Sequence, residues 1–287
     1  MAYNATSTPT NPLTAPLPPT PNLTPAERAT ERFSVTGNAI VTGGAGGLGL
    51  EAARALLEHG LKGLCLFDIA SSFTASRAAL QTLSDTFPEA KIIEEVVDVA
   101  DEGAVQAAVE RTAEALGSVD VLLCFAGIAG SAPAVDMSLE LWQKVMDINL
   151  TGSWLCAKYA AKEMIKQKTG GSIVLVSSVA GYKSLFPLYA PAYSVSKSAV
   201  IGLTTNLAAE WAQHGIRVNC VCPGYMETAM TSVPRAQPGI QAYIDRTPLG
   251  RIGQPSELAG PVVMFCSPAG RYITGVSIMV NGGNHTI

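Results

Sequence analysis

An α/β fold, a doubly wound parallel sheet of about seven strands with helices on both faces, follows from three features of this 287-residue chain. Short and almost wholly apolar runs recur along it, as strands buried on both faces require. Segments of helical pattern separate those runs, which is the alternation that builds a parallel sheet. A glycine-rich turn follows the first apolar run and opens into an amphipathic stretch. With 48% hydrophobic and only 15% charged residues, the chain can bury a large core.

The elements follow in order. Residues 1 to about 32 are rich in Thr, Pro, Asn and Ala, with seven prolines from Pro9 to Pro25. Such a stretch cannot pack a core, so an extended or disordered tail is expected over 1–32. A single dinucleotide-binding catalytic domain is expected over 33–287. Strands are expected near 38–42, 64–68, 92–97, 119–125, 172–177, 217–221 and 276–280. Helices are expected near 47–59, 74–87, 101–115, 139–166, 192–213 and 256–266. Between Tyr225 and Arg251 the composition is mixed and no element is assigned.

Two clusters carry chemistry. In Thr42-Gly43-Gly44-Ala45-Gly46-Gly47-Leu48-Gly49 the glycines let backbone approach a pyrophosphate whose charge sits at a helix N-terminus. The next strand ends in Asp68, nineteen residues after Gly49, the spacing of a carboxylate that binds an adenosine ribose. In Tyr193-Ser194-Val195-Ser196-Lys197 a phenol and an ammonium are four residues apart, hence on one helix face. A free tyrosine titrates near ~10 and is a poor base at neutral pH. A cation about 4 Å away in a partly desolvated site would lower that value toward ~7. Either cluster alone has an ordinary structural reading, a Gly-rich turn or a helix with a buried Tyr and an exposed Lys.

Together, and in this order, the motifs resemble those of the short-chain dehydrogenase/reductase family from about Phe33 to Gly283. The resemblance implies a Rossmann-type domain and hydride transfer between a nicotinamide and a carbonyl or alcohol carbon. It implies a catalytic set of Asn149, Ser178, Tyr193 and Lys197. Tyr193 would be the acid/base, with Lys197 lowering its pKa and holding the nicotinamide ribose. Ser178 would orient the substrate oxygen, and Asn149 would hold a water in the proton relay. Cofactor contacts are implied for Gly43, Gly47, Leu48, Gly49, Asp98, Val99, Ala126, Gly127, Pro223, Gly224 and Thr228, besides Asp68, Tyr193 and Lys197. Asp68 favours NAD(H), because its carboxylate repels a 2′-phosphate and Ile69-Ala70-Ser71-Ser72 brings no compensating Arg or Lys. In the family, Tyr225–Arg251 is a mobile lid and substrate loop.

One departure stands out. Cys124-Phe125-Ala126-Gly127 replaces the family's usual Asn-Asn-Ala-Gly, removing two amide side chains. Tolerance is expected rather than loss of function. In Val280-Asn281-Gly282-Gly283, Asn281 replaces a more usual Asp.

Substrate class is read from the fifteen steps between Ser178 and Tyr193, two more than in many family members. Leu185-Phe186-Pro187-Leu188-Tyr189-Ala190-Pro191 fills the extra length. This spacing, Phe186-Pro187, Glu210-Trp211 and Pro223-Gly224-Tyr225 resemble the sugar-alcohol and ketose branch, with mannitol 2-dehydrogenases, arabinitol dehydrogenases and L-xylulose reductases. A sugar alcohol is therefore the first expectation. Leu188, Tyr189 and Ala190, with Ile128, Tyr225, Met226 and Met230, make a more apolar pocket, so a hydrophobic alcohol or ketone is the alternative. A dehydratase or epimerase using bound NAD, or a cofactor-sensing protein, is a further class; the filled catalytic positions argue against a sensor.

Other classes are disfavoured. A net charge of -4 with no basic block argues against nucleic acid or an anionic membrane as main partner. No apolar run approaches the ~20 residues that span a bilayer. The N-terminus lacks the marks of a secretory or mitochondrial signal, so a cytoplasmic protein is expected. Cys65, Cys124, Cys156, Cys220, Cys222 and Cys266 read as buried free thiols, with no metal site. His59 and His214 each precede a glycine and read as helix C-terminal caps. By the resemblance, a homodimer or homotetramer forms through the helices near 139–166 and 192–213.

Overall fold

The computed structural model describes residues 11–16, 22–228 and 238–286. Met230 and the first ten residues lie outside them. Seven strands form one sheet: β1 (Asn38–Thr42), β2 (Gly63–Asp68), β3 (Lys91–Val96), β4 (Val121–Cys124), β5 (Gly171–Val176), β6 (Ile216–Pro223) and β7 (Ser277–Val280). Their order is β3-β2-β1-β4-β5-β6-β7, and every pair is parallel. The order reverses between β1 and β4, where Thr42 lies beside Cys124. Ligands bind outside the carboxyl ends of such strands, at that reversal.

Strand side chains alternate between two cores, one per face. Ile40, Cys65, Phe67, Leu122, Cys124, Ile173, Leu175 and Cys220 bury on one side. Ala39, Val41, Leu64, Leu66, Leu123, Val174 and Val221 bury on the other. The first core is covered by α5 (Glu102–Leu116), α7 (Gly152–Gln167) and α8 (Pro191–Trp211), the second by α2 (Gly47–Glu58). Cys220 and Cys222 point the same way from β6, their Sγ atoms 3.9 Å apart.

Departures from the expected elements have physical causes. The helix expected over 74–87 is two, α3 (Ala70–Ala75) and α4 (Arg77–Thr86). Ser76 marks the break and donates its hydroxyl to Ala45 O at 2.7 Å, tying the junction to the glycine turn. The helix expected over 139–166 is α6 (Leu139–Met146) and α7, joined by a π-helical turn at Asp147–Thr151. A π turn carries an extra residue, and such turns gather at functional sites; Asn149 is in this one.

The stretch expected to be extended or disordered over 1–32 is helical at its end, as α1 (Pro25–Phe33). Thr24 accepts from Glu27 N while the Glu27 carboxylate accepts from Thr24 N, a capping box, and Pro25 starts the helix. Composition hid this local signal. Residues 11–16 rest on the body: Asn11 Nδ2 donates to Gln213 O at 2.9 Å, and Arg271 Nη2 to Ala15 O at 3.1 Å. Within Tyr225–Arg251, where no element was assigned, lies α9 (Pro238–Asp245). The last helix is α10 (Ala259–Cys266), entered through a 3₁₀ turn at Pro255–Leu258. No helix among the described residues is long and apolar enough to cross a membrane.

Candidate active site

The glycine turn connects β1 to α2 at the reversal. Gly43 has φ +63°, and a Cβ there would lie 2.7 Å from Ala126 N. A Cβ on Gly49 would collide with Gly43 O. Bare backbone is therefore required where the turn meets the loop after β4. Thr42 Oγ1 accepts from Ala126 N at 3.2 Å, which fixes that loop beside the turn. Leu48 is half-buried in the first turn of α2. Across the mouth, Thr228 comes within 3.4 Å of where a Gly47 Cβ would stand.

Asp68, at the end of β2, accepts from Ala45 N at 3.1 Å and from Ile69 N at 2.8 Å. Its carboxylate thus sits against the turn it follows by nineteen residues. Asp98 is exposed and accepts from Ala100 N at 3.0 Å, while Val99 packs under Gly152. Pro223 ends β6, and Gly224 N donates to Val280 O at 2.9 Å. These residues line the carboxyl edge of the sheet. A helix N-terminus without side chains in the way, with a carboxylate beside it, fits a dinucleotide.

A second cluster forms where β5, the π turn and α8 meet. Tyr193 and Lys197 share one face of α8, with Lys197 Nζ 5.7 Å from the ring centroid of Tyr193. Lys197 is buried and donates to Val176 O at 2.8 Å. The Ser178 hydroxyl accepts from Ala180 N at 3.1 Å and is near enough to the Tyr193 phenol to draw its pKa down. Asn149 is completely buried. Its Oδ1 accepts from Ile128 N at 2.9 Å; its Nδ2 donates to Ile128 O at 3.0 Å and Ser196 Oγ at 3.1 Å. The side-chain amide is thereby taken up by protein partners. A Cβ on Gly127 would stand 3.2 Å from Asn149 Oδ1 and 3.5 Å from Lys197 Nζ, so this glycine lies between them. All four expected residues come together. Ser196, which ties Asn149 to α8, was overlooked although it sits inside the same pentapeptide.

The electrostatics differ from the sequence expectation. Burial pushes the Tyr193 phenol up, and the Ser178 hydroxyl opposes this only in part. Lys197 does not set the direction, because its ammonium is turned to Val176 O and burial pushes its own pKa down to about 8.

Cys124 and Phe125, in place of two amides, pack apolar. Cys124 joins the first core and Phe125 packs against the second. No buried side-chain N or O among the described residues lacks a partner, so the exchange strands no polar group.

On the substrate side, the insertion Leu185–Pro191 meets α9. Arg246 Nη1 donates to Phe186 O at 3.1 Å, and Leu188 packs where a Gly239 Cβ would be. The Tyr225 and Tyr243 rings meet edge-on, 4.6 Å between centroids. Two hollows, of about 410 and 320 Å³, flank the insertion and share Ala134 and Pro191. Tyr193 lines neither, and we place the chemistry at the side-chain cluster, where the reactive groups are.

A family model described as Enoyl-(Acyl carrier protein) reductase matches residues 43–285. The chain belongs to the short-chain dehydrogenase/reductase family, whose members are oxidoreductases that bind a nicotinamide cofactor. It is 37% identical over 246 residues to a galactitol 2-dehydrogenase (L-tagatose-forming) of Cereibacter sphaeroides, covering 85% of this chain and 93% of that one. It is 39% identical to a 3-oxoacyl-[acyl-carrier-protein] reductase of Synechocystis, covering 85% and 95%. It also resembles a gluconate 5-dehydrogenase structure from Burkholderia cenocepacia, solved with NADP and tartrate. That match has a TM-score of 0.82 and 31% identity, covering 90% and 99%.

Proposed function

We propose that the protein is an NAD(H)-dependent dehydrogenase/reductase that interconverts a secondary alcohol and a ketone, with a sugar alcohol or ketose as substrate. The observation that carries the chemistry is the Ser178–Tyr193–Lys197 cluster at the carboxyl edge of the sheet. A bound nicotinamide supplies the hydride donor or acceptor; the protein supplies position and the proton. Ser178 and Tyr193 together hold the substrate oxygen. Burial keeps the Tyr193 proton in place, the state needed to protonate a carbonyl oxygen as hydride reaches its carbon. In the reverse direction Tyr193 accepts that proton. Lys197 Nζ stands 5.7 Å from the Tyr193 ring centroid and would hold the nicotinamide ribose of a bound cofactor. Asn149 braces the Gly127–Ile128 turn against α8 and so fixes the spacing of the cluster.

NAD(H) is favoured by Asp68. Its carboxylate lies beside Ala45, and Ile69 to Ser72 carry no cation to neutralise a 2′-phosphate. The sugar-alcohol reading is supported by the long Ser178–Tyr193 spacing with Phe186-Pro187 and by the galactitol and gluconate dehydrogenases among the relatives. One observation favours a second reading. The half-buried Tyr225 ring, packed on Tyr243, with Leu188 and Tyr189 on the insertion, suits a hydrophobic ketone or alcohol. The test is NADH formation from NAD+ over matched polyols and apolar secondary alcohols, with Tyr193→Phe as blank. Turnover of polyols supports the first reading, and turnover of apolar alcohols alone replaces it with the second.

A further inference from the structure

We propose that Asn284, three residues from the chain's end, is a positioning residue that clasps the lid helix α9 over the active site. The proposal rests on the reading of Tyr193 as the acid/base. It begins from a buried amide. Asn284 is 2% exposed, and its Nδ2 points at the end of α9. There it donates to Tyr243 O and Arg246 O, both at 3.3 Å, and to Thr247 Oγ1 at 3.1 Å. The last carbonyls of a helix have no partner within it. Tyr243 O also accepts from Arg246 N at 3.2 Å and Thr247 Oγ1 at 2.9 Å, so the C-terminal segment adds a third donor there and one to Arg246 O.

The backbone around Asn284 is shaped for this. Gly282 and Gly283 have φ of +61° and +84°, a turn that side chains resist. A Cβ on Gly283 would press within 2.9 Å of Pro248. Leu249 N donates to Gly282 O at 3.1 Å. From the loop after Ser178, Lys183 Nζ donates to Asn284 O at 2.6 Å, so the clasp is anchored on the catalytic side. His285 Nδ1 lies 3.0 Å from Asn281 Oδ1 and closes the segment on itself.

What α9 holds gives the clasp its consequence. Tyr243 Oη accepts from Tyr225 N at 3.3 Å and packs on Gly224. The Tyr225 and Tyr243 rings also meet edge-on, and burial, with a smaller push from Tyr193, raises the pKa of the Tyr225 phenol. A path of contacts therefore runs from Asn284 through α9 and Tyr243 to Tyr225 in the segment after β6. The same helix carries Arg246 and Gly239, which hold the insertion. Loosening the clasp shifts the surfaces that embrace the substrate while leaving Ser178, Tyr193 and Lys197 on β5 and α8 in place.

Asn284→Asp is nearly isosteric and turns a carboxylate toward the negative end of α9, where it is repelled. Two readouts apply, hydrogen–deuterium exchange of the full chain and steady-state kinetics with the polyol or apolar alcohol that the panel turns over. Exchange over 238–249 should quicken about tenfold, with β1, β4 and β5 unchanged, as loss of a buried hydrogen bond predicts. KM for the alcohol should rise about tenfold while kcat stays within about threefold. Asn284→Ala, which removes the donor without adding charge, should do the same to a smaller extent. Unchanged exchange over 238–249 in both variants overturns the clasp. So does faster exchange throughout the sheet, or failure of both to fold, since either makes Asn284 a general stability residue. Equal losses in kcat and kcat/KM with KM unaltered also overturn it. If wild type turns over no alcohol or ketone, the reading of Tyr193 fails, and the exchange result alone decides the clasp.

Discussion

The two halves of the carboxyl edge are built by opposite means. On the β1–α2–β2 side, contact surfaces are backbone: Gly43, Gly47 and Gly49 leave the turn bare, and Asp68 is pinned to Ala45 N within the same βαβ unit. On the α8–α9 side the surfaces are side chains, Phe186, Leu188, Tyr225 and Tyr243, brought together from three separate segments and held from outside by Asn284. The first half relies on local geometry that few sequences satisfy. Relatives of this chain carry different substrate names, a galactitol 2-dehydrogenase and a 3-oxoacyl-[acyl-carrier-protein] reductase.

Substitutions can separate the halves. The largest effect belongs to Tyr193→Phe, which removes the proton at the seam and should lower kcat by ~10³-fold. NADH binding, followed by fluorescence, should change less than about threefold; a large loss would mean the halves are not separable there. Gly43→Val is the converse. At φ +63° with Ala126 N 2.7 Å from its Cβ, it should weaken NADH at least about tenfold and cost about 2 kcal/mol of stability. Calorimetry on the cofactor-free variant and titration with NADH measure both. Asp68→Asn keeps an acceptor for Ala45 N but removes the charge, so the preference for NADH over NADPH should fall about tenfold. Comparable kcat/KM for both cofactors in wild type would defeat this reading of Asp68.

The remaining effect is read in stability alone, as a pH dependence from the seam. Burial holds Lys197 at about 8, below its ordinary 10.5. Between these values the unfolded chain binds a proton that the folded chain has released, so this group's contribution to stability rises with pH across that window. Below about 8 the charge is carried in the folded state and the cost of burying it is fully present. Urea unfolding of wild type and Lys197→Met at pH 7.5 and 10 should therefore show the wild type gaining relative to the variant. A constant difference would mean that Lys197 does not titrate in this range.

Much of the fold was legible because strand and helix periods are local. The strand runs fall within two residues of their expected bounds, and each alternates between the two cores. The breaks were less legible. Ser76 ends a helix because its hydroxyl finds Ala45 O, a partner thirty-one residues away that no window includes. Thr24 and Glu27 are a local start signal for α1, set in a proline-rich composition typical of extended chain. Within the site, the spacing of Tyr193 and Lys197 placed both on one face. It could not show that Lys197 Nζ would turn to Val176 O, nor that burial would push the tyrosine up rather than down.

By itself the sequence determined the doubly wound sheet, the glycine turn with Asp68 beside it, and the Tyr193–Lys197 pair. Each depends on a repeat or spacing along the chain, and backbone geometry converts such spacings into position directly. Only the tertiary structure decided that Asn149 braces Ile128 and Ser196, that α9 lies over Tyr225, and that Asn284 closes its end. These are meetings of residues far apart in the chain. Their partners are chosen by how packed elements bring unsatisfied polar groups and apolar surfaces face to face, and no local pattern records that choice.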